Sequence, residues 1–355
     1  MESRKVQRVG YSTLSVSLPM NWTKKMGIQK GDLVFLSEEN DGALLLTVKP
    51  NKTEENSVCI VDADQCDNTR VLAKVIVGNY VLGRSLIRVE SSRRLMREQI
   101  ETIRRATQRL LGIGIIEESD QHLLLQCSID PKSFPILTVI HRLYVITSIM
   151  FKEALNSLVE GDMELAKDAI TREHEADTMH RLIARLLASA QQSRNVAESI
   201  DIKDPMEIVQ YNMIAWFMEM IGDRVNSLAH NIIRLHQFDE DREEELIEWL
   251  SQIGLIVFTM FDKAVKSIFD GNVKIASDAV DLRETVEQEE RNLLKEFQGR
   301  TDRDVAATVG AIAWEFKIIA EYSSAIAEIA IDNVLKDDNE ICKVVESLST
   351  IQEAL

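Results

Sequence analysis

Two stretches decide the fold: FKEALNSLVEGDMELAKDAI, residues 151–170, and FDKAVKSIFDGNVKIASDAV, residues 261–280. They align without gaps and agree at seven of twenty positions, among them Phe151/Phe261, Gly161/Gly271 and Asp168/Asp278. Each reads as a helix of apolar period ending near Glu160 or Asp270, a Gly-Asp or Gly-Asn turn, and a second helix. A third helix repeats as well, since Ala215-Trp216 and Ala229 recur as Ala313-Trp314 and Ala327. Duplication of this kind marks a supersecondary unit used twice. The sequence therefore predicts six long helices in two three-helix bundles, roughly 136–238 and 242–336, with a shorter tail helix behind them. Trp216 and Trp314 read as packing residues, and the methionines as core filler.

Outside the repeat the grammar changes. Eight of the 14 glycines and four of the five prolines fall before residue 136, and residues 206–355 contain no proline. The charge divides at the same place. Residues 1–130 carry 18 bases and 17 acids (+1), and residues 131–355 carry 23 and 41 (−18), which together give the net −17. An overall deficit of that size argues against nucleic-acid binding only if it is evenly spread, and it is not. The four cysteines, at 59, 66, 127 and 342, form no C-x-x-C pair and have no histidines at zinc-finger spacing, which predicts a reducing, cytoplasmic setting without a disulfide framework. The most apolar stretches, such as Ile253–Phe261, are far shorter than the roughly 18 residues of a membrane span, so no membrane insertion is expected.

Residues 4–18 alternate apolar and polar around Gly10, the pattern of half-buried strands. Pro19 ends the run, a short helix from Asn21 to Met26 closes on Gly27, Gly31-Asp32 turns into LVFLS, and Asp41-Gly42 turns into ALLLTV. Four strands and one helix in about fifty residues bury too little apolar surface to stand alone, which predicts a dimer. Ser17-Leu18-Pro19, Thr23-Lys24-Lys25-Met26-Gly27-Ile28 and Lys30-Gly31-Asp32 resemble the core pattern of the AbrB/SpoVT/MazE family of DNA-binding domains. The resemblance implies a swapped-hairpin β-barrel dimer that lays bases onto DNA, here Arg4, Lys5 and Arg8 on the first strand with Lys24 and Lys25 on the helix. Residues 1–35 carry six bases and two acids, so the DNA contact is expected within them. The sequence departs from the family where Ser12-Thr13 replace its Gly-Arg and Thr23 one of its helix arginines.

Residues 56–130 read as a small α+β unit: strand VCIVDA, a helix near Thr69–Leu82, strand SLIRVE, an Arg-rich helix from Arg93 to Leu111, then GIGIIEE and HLLLQCS around Asp120-Gln121. Between Asn68 and Gly112 stand ten bases and three acids. Such a stripe suits phosphate groups or an acidic partner, and the acidic half of the same chain is the simplest one.

The duplicated bundles look like the PhoU family of phosphate-signalling regulators. Glu219-Met220-Ile221-Gly222-Asp223, followed by Ser227-Leu228-Ala229, resembles the family's third-helix motif, and Glu173-His174-Glu175-Ala176-Asp177 its second-helix motif. The resemblance implies metal binding by Glu173, Asp177, Glu219 and Asp223, with iron, zinc or magnesium ions on the bundle surface. In repeat two the equivalents are Arg283 with Glu287 and Lys317 with Glu321, so a base replaces the first acid each time. The order of the two resemblances is similar to archaeal phosphate-uptake regulators. Spacing by itself puts Glu219, Asp223, Asn226 and His230 on one helix face opposite an apolar stripe, where oxygen donors suit hard cations and His180 could complete a shell.

The fold class expected is mainly α with a small β head: the swapped-hairpin domain (1–50), an α+β connecting segment (51–130) and two tandem three-helix bundles (131–240 and 241–355, the latter with the tail helix). The function expected is regulation of phosphate uptake, with DNA, a phosphate-transporter ATPase or signalling protein, and a second copy as partners. An adaptor whose head only dimerises is the alternative. A di-iron enzyme needs Glu-x-x-His on paired helices, and the chain offers one acid at that spacing, Asp177 before His180. No Gly-rich phosphate loop or nucleophile elbow is present either, so no enzyme is expected.

Overall fold

A computed structural model describes residues 3–38, 44–48, 58–238, 244–297, 303–336, 338–339 and 341–343. The chain divides into two compact units, Met1–Ser57 and Val58–Leu355.

In the first unit, β1 (Gln7–Val9) pairs antiparallel with β2 (Thr13–Ser15). Pro19 then starts α1 (Met20–Met26), which Gly27 closes in the left-handed conformation at φ 69°. That backbone is the reason glycine stands there. β3 (Phe35–Glu38) pairs antiparallel with β4 (Leu44–Thr47); the Asp41-Gly42 turn between them lies outside the described residues. The two hairpins form separate two-stranded sheets. No described side chain in this unit is buried, and Val6, Leu14 and Leu36 are each more than 60% exposed. The unit alternates apolar residues as strands do, yet its described residues form no core within one chain.

The second unit begins with an α+β layer. β5 (Val58–Asp62) runs parallel to β6 (Leu86–Glu90) through α2 (Thr69–Val81), and β7 (Ile113–Glu118) and β8 (His122–Cys127) complete a sheet of order β5-β6-β8-β7. Asn68 caps α2 by accepting from the backbone N–H groups of Arg70 and Val71. α3 (Arg97–Gln108) starts four residues later than the sequence suggested. Asp64 accepts hydrogen bonds from the Ser91 and Ser92 hydroxyls and from the Ser92 N–H, and the Gln99 side chain accepts from the Met96 N–H. These contacts hold residues 91–96 out of the helix, so Arg93 does not share its face.

The repeats follow. α4 (Ile136–Glu160), α5 (Met163–Gln192) and α7 (Pro205–Gln237) build the first bundle, with an extra short helix, α6 (Arg194–Ser199), absent from the sequence reading. α8 (Glu244–Asp270), α9 (Val273–Phe297) and α10 (Arg303–Leu335) build the second. Gly161 and Gly271, the matched glycines of the repeat, both adopt positive φ, 74° and 58°. One buried apolar cluster runs through both bundles, from Ile136 to Ala330, and α7 packs on α10 as α4 packs on α8. At the crossing of α8 with α4 and α10, Gly254 leaves no room: a Cβ there would stand 2.4 Å from Leu155 Cδ2 and 3.0 Å from the Phe316 ring. Tyr144 on α4 donates a short hydrogen bond to Asp262 on α8.

Two expectations about side chains are corrected. Trp216 and Trp314 are 49% and 51% exposed, because their equivalent positions turn outward from the shared core. Met150, Met218 and Met260 fill the core, whereas Met206 and Met213 lie exposed on α7. The tail helix expected behind residue 336 falls mostly outside the described residues, and those described there, 338–339 and 341–343, are not helical.

Arg185 is the most heavily bonded link between the α+β layer and the first bundle, beside Gln192, which donates to the Leu82 carbonyl, and the packing of Leu111 and Ile129 on the bundle core. Arg185 of α5 is buried, lies over the Tyr80 ring at 5.0 Å, and donates to the carbonyls of Tyr80, Gly83 and Arg84. Burying a guanidinium is costly unless its donors are used, and here they cap the end of α2. The contact runs opposite to the expected docking of a basic stripe on the acidic half: the base belongs to the bundle, while Arg94, Arg97 and Arg104 of the stripe pair with acids of their own layer.

Candidate functional site

Glu173 and Asp177 lie one turn apart on α5, and Glu219 and Asp223 one turn apart on α7. The two pairs stand near enough across α5 and α7 for each to feel the other's charge. Burial raises the Glu173 carboxyl above the usual carboxylate range, and the charges of Asp177 and Asp223 raise it further. Glu219 is pushed up to about 7 by burial first, then by Asp223 and Asp177. Asp223 is raised by burial and then by Asp177. Burial leads in each case, and the repulsion of neighbouring carboxylates adds to it.

The cluster is not on the open surface, as the stripe pattern had suggested, but in the seam between α5 and α7. The cause is small residues: a Cβ on Gly222 would sit 3.9 Å from the Cβ of Ala176, so the helices close here and draw the flanking acids half under cover. The side chains of Glu173 and Asp177 are 23% and 16% exposed.

Arg181 supplies the cluster's own cation. It sits one turn beyond Asp177 and donates a short hydrogen bond to that carboxylate, and its charge also opposes the rise of Glu219. The sequence reading passed over it, although acid and base four apart on a helix is a legible pairing signal. Asn226, one turn past Asp223, holds its Oδ1 buried without a hydrogen-bond partner. His180 is half-buried and its pKa is lowered, chiefly by burial, which keeps the imidazole neutral. His230 is exposed. Among the described residues, no three His, Cys, Asp or Glu side chains are grouped closely enough to hold a metal ion as they stand.

Repeat two answers the same positions with internal ion pairs. Glu287, the counterpart of Asp177, lies between Arg283 at 3.2 Å and Arg291 at 3.8 Å, and Arg291 is the counterpart of Arg181. Lys317, in place of Glu219, pairs with Glu290 at 3.5 Å. A fixed cation thus stands where repeat one carries excess negative charge.

In the first unit, Arg4 and Lys5 precede β1, Arg8 lies on it, and Lys24 and Lys25 occupy the last turn of α1, where the helix dipole favours bases. All five are exposed, and the Arg8 guanidinium donates to the Tyr11 carbonyl at 3.1 Å.

Residues 140–232 match the PhoU domain, and residues 7–56 match the MazE antitoxin domain, described as antidote-toxin recognition. Among solved structures, PhoU from Pseudomonas aeruginosa is similar at TM-score 0.51 and 19% identity, over 57% of this chain and 96% of that one. The phosphate transport system regulatory protein PhoU from Streptococcus pneumoniae is similar at TM-score 0.49 and 17% identity, over 57% and 94%. No curated protein matches the chain by sequence. At these identities the Pseudomonas likeness speaks for the fold of the bundles.

Proposed function

Since this chain joins a MazE-type domain to a PhoU domain, we propose that it is a DNA-binding regulator of phosphate uptake rather than an enzyme. The observation that carries the reading is the pairing of a small head, whose bases gather in residues 1–35 and whose described side chains are none of them buried, with a duplicated acidic bundle. The head dimerises, which would bury its exposed apolar side chains, and Arg4, Lys5, Arg8, Lys24 and Lys25 contact phosphates of the duplex. Each phosphate neutralised releases counterions, so binding weakens steeply with salt. The bundle docks on a phosphate-transport ATPase or signalling partner. Among the described residues no helix is long and apolar enough to cross a membrane, in keeping with action from the cytoplasmic side.

The acid cluster takes a divalent cation in this reading. Its donor chemistry fits: carboxylates, an orphaned buried amide oxygen at Asn226, and a neutral His180 nearby. Glu173, Asp177, Glu219 and Asp223 would hold the ion, with Asp177 first leaving Arg181. Iron, zinc and magnesium all accept such donors.

Two measurements test the reading. Affinity for promoter DNA over a salt series should fall with salt for the wild type, and the slope of log affinity should shrink by roughly 2 per protomer in the Lys24→Ala/Lys25→Ala variant. A wild type without salt-dependent affinity leaves the head as a dimerisation device and the chain as an adaptor of the transporter. Elemental analysis of protein purified without chelator should find at least one metal per chain, lost in Asp223→Ala.

A further inference from the structure

A groove of about 710 Å³ opens between α2, α3 and α5, where the α+β layer meets the first bundle. Small-molecule sites run to roughly 300–1,000 Å³, so the volume is that of a ligand of nucleotide size and several times that of a single phosphate. Its charged lining is wholly basic: Arg70 and Lys74 from α2, Arg105 and Arg109 from α3, and Arg181 from α5. On each of the first two helices the bases are four apart, hence on one face, and the two faces look across the groove at each other. Between the bases the floor is small and apolar, made by Ala73, Val77 and Ala106.

The bases of the groove differ from their neighbours. Elsewhere on α3 and just before it, arginines are matched to acids: Arg97 to Glu101 and Arg104 to Glu118, each at 2.9 Å, and Arg94 to Asp120 at 3.9 Å. Arg70 and Lys74 form no ion pair with a described residue, the Arg105 guanidinium reaches only the Glu101 carbonyl at 3.3 Å, and Arg109 feels the charge of Glu173 across to α5. Like charges four apart on a helix destabilise it, and two such pairs facing each other compound the effect. A local conflict of this kind, only partly compensated, is what a functional site shows. The walls are set by Arg185, which ties α5 to the end of α2.

We propose that this groove binds a nucleotide carrying a di- or triphosphate. Phosphates lie between the facing bases, and the flat ring system rests on the apolar floor. Positive charge spread from Arg70 to Lys74 and along α3 suits several phosphates in a row better than one. Arg181 borders both this groove and the acid cluster, so a bound phosphate competes with Asp177 for its guanidinium. The site itself stands independently of the DNA and metal readings above.

Calorimetric titration of the full chain with ATP, ADP, pyrophosphate and orthophosphate, at near-physiological salt, tests it. ATP and ADP should bind, pyrophosphate should compete more weakly, and orthophosphate should be weakest. Lys74→Ala/Arg105→Ala should lose affinity for ATP at least tenfold, while Arg93→Ala/Arg94→Ala, on exposed bases outside the groove, should leave it unchanged. Should the double variant fail to fold, the single exposed change Lys74→Gln should still weaken ATP severalfold. The proposal is overturned by absence of nucleotide binding up to millimolar concentration, or by equal loss in the Arg93/Arg94 variant. It is overturned too if the Lys74/Arg105 change weakens binding of a short DNA duplex and not of nucleotides.

Discussion

Replacing Glu219 by Gln should stabilise the protein, and only at high pH. In the folded chain the Glu219 carboxyl is raised from 4.5 to about 7, so the fold favours the neutral acid. A raised carboxylate pKa leaves stability intact below the unfolded value and removes it as pH climbs through the folded one. The full shift corresponds to about 3.4 kcal/mol at 1.36 kcal/mol per pH unit. Because the side chain is only half-buried, solvent screening brings this to roughly 2 kcal/mol. Glutamine keeps the shape and the hydrogen-bonding polarity but never ionises. Urea denaturation of the full chain, stripped of metal and held in chelator, should therefore show Glu219→Gln ahead of wild type by about 2 kcal/mol near pH 8.5 and by less than about 1 kcal/mol near pH 5. Equal gains at both pH values would refute the electrostatic account and point to packing. A loss near pH 8.5 would mean that the carboxylate is bound by something that needs its charge.

Arg181→Met should act in the opposite sense, lowering stability at neutral pH, where it strips Asp177 of its partner, by roughly 1–3 kcal/mol; a pH-independent change would contradict this. Gly254→Val should destabilise by about 2 kcal/mol or more through overpacking against Leu155 and Phe316. Gly310→Ala, in a helix with its nearest neighbour 4.0 Å away at Leu294 Cδ2, should instead gain up to about 1 kcal/mol; thermal melts of the two distinguish crowding from propensity. Arg185→Leu should loosen the α+β layer from the first bundle, seen as faster hydrogen exchange around Tyr80–Arg84 while α8–α10 stay protected.

How much of this was legible beforehand depended on whether the cause was local. Gly161 and Gly271 announced their turns because left-handed backbone selects glycine. The start of α3 was misplaced because Asp64, nearly thirty residues upstream of Ser91 and Ser92, decides it. The four acids could be named from their motifs, yet their half-burial could not be foreseen, since it follows from Ala176 meeting Gly222 across two helices. Helical spacing likewise could not tell that Trp216 faces outward, for the stripe that points inward is fixed by where the second repeat packs. Four of the five groove bases lie in the base-rich stretch 68–112, but only the tertiary fold separates them from Arg97 and Arg104, which meet acids, and adds Arg181 from α5.

The buried cluster running unbroken from Ile136 to Ala330 makes the doubled body indivisible. Cutting the chain between the repeats would bare the flanks that α4 and α7 turn toward α8 and α10, leaving two sticky halves in place of two domains. The duplication therefore no longer behaves as a string of modules: whatever event is felt at the α5–α7 seam is felt by a single rigid block, and an altered helix tilt on one side must be accommodated by the other.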